Sequence, residues 1–176
     1  VDGTTNLDVV DIDGAVDMAS TLKVDGTVGF GVTPESWQST RKALQVGDST
    51  AVWGDVYKNS WFSNNVYRNT SGTDSYINAS VAQQIYMNNG GDMFFQTAAS
   101  GSADAAISWI TALTIDNSGN LETSGSGGVV FNEGAADVDF RVESDTNENM
   151  LLVDGGTNRV GIGVASPSFY FTAIGD

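Results

Sequence analysis

The chain has 176 residues, 22 acidic and 7 basic side chains, and a net charge of −15. That balance repels phosphate backbones, so no nucleic-acid partner is expected; no apolar run is long enough to cross a bilayer, so no membrane insertion is expected either. Cysteine and histidine are both absent, which removes disulfides, thiolate metal sites, the commonest general base and the commonest zinc ligand together.

The 21 glycines, the frequent Val, Thr, Ser, Asn and Asp, and the lack of helical periodicity predict an all-β chain of short strands and many turns. Residues 1–35 form a first repetitive segment. Val1-Asp2-Gly3, Ile12-Asp13-Gly14 and Val24-Asp25-Gly26 are near copies of one phrase, and Val153-Asp154-Gly155 is a fourth. Each copy has two apolar residues spaced by two, a turn opened by Asp and an apolar restart, which predicts a strand, a turn and a strand. Val10 and Ile12 alternate with Asp11 and Asp13, and Leu22 and Val24 with Lys23 and Asp25, the period of a half-buried strand. A unit of about a dozen residues cannot bury a core alone and must stack on copies of itself. The segment ends in Val28-Gly29-Phe30-Gly31-Val32-Thr33-Pro34.

Residues 36–121 lose this rhythm and are rich in aromatics, which predicts a compact β-domain. Strands are predicted at 51–56, 65–68, 84–87, 93–96 and 107–115. Turns are predicted at Thr70-Ser71-Gly72-Thr73 and Asn88-Asn89-Gly90-Gly91, where Asn and Gly tolerate positive φ. Residues 98–106 are predicted to be a loop of small residues. Residues 122–176 return to the repetitive texture. Residues 122–128 are a Gly/Ser-rich joint, and Val138, Phe140 and Val142 alternate with charges as in a strand. Val160-Gly161-Ile162-Gly163-Val164-Ala165-Ser166-Pro167-Ser168 then repeats the phrase beginning at Val28. Both prolines of the chain sit in these two copies. The glycines would let another strand or ring approach closely, while Val28, Phe30, Val160 and Ile162 are predicted to meet neighbouring chains at a shared axis.

Residues 158–168 resemble the Gly-Ile-Gly-Thr-x-x-Pro-Ser segment of bacteriophage tail fibres and tail spikes, especially those of marine phages. Residues 3–22 are similar to shaft repeats of the same proteins, and Ala43-Leu44-Gln45-Val46-Gly47 and residues 112–121 to a domain found there. The resemblance implies an intertwined homotrimer, elongated, with repetitive β-strand fibre segments flanking the compact β-domain. It also implies a place on a virion beside other virion proteins and a part in attachment to the host surface, with a surface glycan as the partner to be considered.

The residues carry little reactive chemistry. An EF-hand pattern fails around Asp11 and Asp13, and again where Met150 stands in place of the required glycine. A site where acidic residues of three chains meet on an axis stays open, but Asp in tight turns ordinarily serves the turn. Ser20-Thr21-Leu22-Lys23 and Ser39-Thr40-Arg41-Lys42 match Ser-x-x-Lys without the partner motifs. A glycan-cleaving spike would need a facing carboxylate pair, and nothing in the spacing selects one. The expectation is therefore no enzyme, no cofactor and no metal. A bacterial surface adhesin or filament subunit is the other alternative.

For recognition, Trp53, Tyr57, Trp61 and Tyr67 would stack on sugar rings if exposed, or fill the core if not, and the core is the favoured role for most of them. Asn69, Asp74, Asn88 and Asn89 stand in polar turns suited to hydrogen-bonding hydroxyls.

Overall fold

The computed structural model describes residues 12–124, 129–131 and 137–173, so the copies of the repeat within residues 1–11 and the part of the joint at 125–128 lie outside the described residues. The described elements are all strands, and the chain divides into two units, residues 1–125 and 126–176.

In the first unit, β1 (Val28–Phe30), β2 (Arg41–Val46), β3 (Thr50–Asp55), β4 (Ser60–Asn64), β7 (Ser80–Met87), β8 (Met93–Gly101), β9 (Ile110–Ile115) and β10 (Leu121–Thr123) form one eight-stranded sheet in that order. All neighbours are antiparallel except β1 and β2, which are parallel. Between β4 and β7 the chain makes a small hairpin, β5 (Val66–Arg68) and β6 (Asp74–Tyr76), paired with each other.

Alternation along the strands decides which side is covered. On one face Ala43, Trp53, Trp61, Tyr86 and Phe94 occupy directly opposed positions on five neighbouring strands. Their rings form a ladder: Trp53 and Trp61 are stacked at 3.9 Å, Trp61 and Tyr86 at 4.8 Å, and Tyr86 and Phe94 at 5.4 Å. Trp37 and Tyr67 close one cluster of this core; Val66, Tyr76, Ala82 and Ala98 form a second, with Ile107 and Trp109 packed against it. Such aromatic ladders bury large areas and gain from offset stacking across the strands.

Three sequence expectations change here. The strand predicted at 93–96 runs on to Gly101, so the small residues at 98–101 are strand and not loop. Ala98 lies opposite Ala82, and the two small side chains leave room for Val66 and Tyr76 above them. The boundary expected at residue 35 falls inside one sheet, because Val28 pairs with Leu44 and Phe30 with Val46. Finally, residues 12–27 form no strand, and Ile12, Val16, Met18, Leu22 and Val24 are exposed. Alternation supplies an apolar face but not the partner strand whose hydrogen bonds a ladder needs.

In the second unit, β11 (Phe140–Val142), β12 (Leu151–Asp154), β13 (Arg159–Ile162) and β14 (Phe171–Ala173) make a four-stranded sheet around Leu152. The repeated Gly-containing phrase takes the same form in both units. Gly31 and Gly163 have φ of 69° and 73°, and each strand pairs in parallel with the strand that follows it. A Cβ on Gly29 would lie 2.8 Å from Pro34, and one on Gly161 would lie 2.9 Å from Pro167. The ring that glycine admits is therefore the phrase's own proline, folded back over the strand.

Candidate functional site

Four turns of the first unit follow one five-residue template. The Oδ1 atom of Asp55, Asn69, Asn88 or Asp116 accepts the backbone N–H groups two and four residues on, at 2.8–3.0 Å. The fourth residue has positive φ in each case: Lys58, Gly72, Gly91 and Gly119. This is the Asx chemistry expected of Asp and Asn in turns. Three of the turns are laced together along one end of the sheet. Asn89 N–H donates to Asn59 Oδ1 at 3.0 Å, and Asn117 N–H donates to Asp92 Oδ1 at 3.2 Å.

The template corrects part of the predicted recognition surface. Asn69 also donates to Ser75 Oγ at 3.0 Å, and Asn88 donates to Asp92 Oδ2 at 2.9 Å, so both side chains are committed to holding the fold. Trp53, Trp61 and Tyr67 are 3–7% exposed and lie in the core, so they make no open stacking platform. Tyr57 and Asn89 are exposed at the turn end of the sheet. Of the predicted chain–chain contacts, Phe30 and Ile162 are exposed, while Val28 and Val160 are half-buried.

Trp61 and Asp74 meet at a different feature, a polar cleft of about 300 Å³ on the covered side of the sheet. Aromatic walls come from Trp61, Tyr86 and Trp109; Arg41, Arg68 and Asp74 bring charge; Asn59, Gln84 and Gln96 bring amides. β2 and β3 pair Arg41 with Asp55, whose side chains form an ion pair. The Arg41 guanidinium also lies 5.1 Å from the centre of Trp61 and 5.7 Å from that of Trp53. β5 and β6 pair Arg68 with Asp74, joined at 2.8 Å, and Trp109 Nε1 donates to the other oxygen of Asp74 at 3.0 Å. Gln84 Nε2 donates to Gln96 Oε1 at 2.7 Å, and Gln96 Nε2 to Thr111 Oγ1 at 3.0 Å.

The electrostatics follow from these contacts. Burial raises the Asp55 pKa, but hydrogen bonds from the Asn59 side chain and the Asn59 and Tyr57 backbone, with the charge of Arg41, outweigh it and hold this carboxyl below the usual range. Burial pushes the Tyr86 phenol up, aided by the charge of Asp55. Sequence reasoning found Trp61 and Asp74 but not Arg41, Arg68, Gln84 or Gln96. The signal was present in β7, where Gln84 stands at a core-facing position between Ala82 and Tyr86, a place where alternation predicts an apolar residue.

Tyr67 sits apart from this cleft. Its hydroxyl donates to Asp104 Oδ1 at 2.8 Å. Burial, then that bond and the charges of Asp104 and Glu35, push the phenol from 10.0 up to about 12. A phenol with a raised folded pKa contributes its stability fully below the unfolded value and loses it as pH rises through the folded one. The stability of the wild type is expected to fall between about pH 10 and 12, and Tyr67→Phe to flatten that part of the curve. Equal slopes for the two proteins in urea titrations across that range would exclude the assignment.

The opposite face of the eight-stranded sheet has no layer over it from the described residues of its own unit. A single row of opposed positions runs Val28, Leu44, Val52, Phe62, Ile85, Phe95 and Leu113 across seven strands. Val52 is 46% exposed and Phe62 54%. No protein-family model, curated protein or solved structure matches the chain.

Proposed function

We propose that this chain is a structural segment of a bacteriophage virion fibre, that it works as a homotrimer among other virion proteins, and that it contributes to attachment at the host surface. Its role is mechanical and adhesive, without catalysis. The observation that carries the proposal is the apolar row on this face of the sheet, Val28 to Leu113, in which Val52 and Phe62 are exposed and the other five side chains half-buried. Isolated apolar side chains on a surface are ordinary, but a contiguous strip across a whole sheet marks a surface made for association. Identical copies are the simplest cover, because exposed Ile12, Val16, Leu22 and Val24 repeat the same demand along the N-terminal segment. The Gly-apolar-Gly phrase with its folded-back proline, built alike in both units, supports the likeness to repetitive fibres.

Sedimentation of the whole chain in dilute buffer is expected to give three chains per particle. A stable, folded monomer at micromolar concentration would remove the fibre proposal, since the apolar row would then be tolerated in water without a partner.

A further inference from the structure

The Gly-apolar-Gly phrase has the same lead-in in both units, but its strand is covered on both edges in only one of them. Leu22-Lys23-Val24-Asp25-Gly26 precedes Val28-Gly29-Phe30, and Leu151-Leu152-Val153-Asp154-Gly155 precedes Val160-Gly161-Ile162. In the second unit the lead-in is β12. It pairs antiparallel with β13, with Val153 opposite Val160 and Leu152 opposite Gly161. On its other edge β13 pairs in parallel with β14, as β1 does with β2. In the first unit the same lead-in forms no strand, and β1 is the outermost strand of its sheet.

The free edge of β1 is matched to the strand it lacks. Phe30 C=O accepts from Gly47 N–H at 2.9 Å, so the backbone groups of Phe30 face the β2 side. Strand alternation turns those of Gly29 to the open edge, as those of Gly161 turn to β12. Such an edge is a template for a further strand. The lead-in is equally unpartnered: Leu22 is 66% exposed and Val24 46%, and Phe30 on β1 is 59% exposed. The chain's own lead-in is too close to fill the place in that register. Six residues separate Val153 from Val160, but three separate Val24 from Val28. With Val24 opposite Val28, Asp25 would face Thr27. Gly26 alone would then make the loop, which is shorter than any common hairpin loop. A strand from another chain carries no such tether.

We propose that the open edge of β1 takes residues 22–25 of a second copy of this chain, antiparallel, in the register by which β12 covers β13. Val24 of one copy then lies opposite Val28 of the next, and Leu22 opposite Phe30, so that exposed apolar side chains cover each other. The contact is head-to-tail, and three copies can close it into a ring. It rests on the assembly of copies proposed above and names the strands that join them.

The test is the double variant Leu22→Cys with Phe30→Cys in the full chain, oxidised and run on a denaturing gel. The chain has no cysteine of its own, and both positions are exposed, so the fold is expected to keep its thermal melt. A pair outside the ladder's hydrogen bonds has Cα atoms about 4.5 Å apart, within the reach of a disulfide. The double variant is expected to give covalent trimers, and each single variant to stay as separate chains. A disulfide closed within one chain overturns the proposal, because residues 22–25 would then cover their own β1. No disulfide at all, or as much covalent product from either single variant, also overturns it. Sedimentation of the same samples keeps the two proposals apart. Trimers without the link between chains remove only the edge pairing, and a linked dimer keeps the pairing and removes only the trimer.

Discussion

Replacing Trp61 by alanine is expected to destabilise the first unit by about 3–5 kcal/mol, the range for deleting a large buried aromatic. Trp61 is 7% exposed and is the central rung of the ladder, stacked on Trp53 on one side and Tyr86 on the other. Both stacking contacts vanish in the variant, each contributing roughly 0.5–1.5 kcal/mol beyond area burial. Arg41 loses one of its two aromatic faces while staying paired with Asp55. Urea unfolding is the measurement, and a shift below about 1 kcal/mol would show that the ladder is not the core of this unit.

Its neighbour should behave in the opposite way. Phe62 follows Trp61 on β4 and points to the other side of the sheet, where it is 54% exposed. Phe62→Asp removes little buried area from a single chain, so a cost of about 1 kcal/mol is expected, on the scale of strand propensity. In an assembly the same change places a charge in the middle of the apolar row, between Val52 and Ile85. Burying it there without a counter-charge opposes association. The variant is expected to sediment as single folded chains under conditions where the wild type forms trimers. Phe62→Asp particles of unchanged mass and unchanged thermal stability would show that copies do not meet across this face.

Adjacent residues with opposite consequences illustrate what alternation does and does not carry. The strands around 51–56, 65–68, 84–87 and 93–96 were legible because β-branched and aromatic residues at period two, bounded by Asn, Asp and Gly, have few other ways to fold. The turns were legible for a local reason as well. An Asx oxygen reaches the N–H groups two and four residues on without help from the rest of the chain, as at Asn69 and Asn88. Alternation alone, however, does not say which of two apolar faces is covered. Trp61 and Phe62 are adjacent aromatics on one strand, and nothing in their identity says which of them is covered.

The sequence by itself therefore determined the all-β class, the turns opened by Asn69 and Asn88 and the duplicated Gly-apolar-Gly phrase, since each depends on neighbours within a few residues. Only the tertiary structure decided that the β5–β6 hairpin covers the Trp61 side and leaves the Phe62 side open. Only it brought Arg41, Arg68 and Gln84 to one cleft, from strands 16 to 43 positions apart in the chain. The physical reason is that ion pairs such as Arg41–Asp55 and contacts such as Trp109–Asp74 join residues distant in sequence. Their positions depend on strand register and on the path of the hairpin between β4 and β7, and neither is written in any short window of residues.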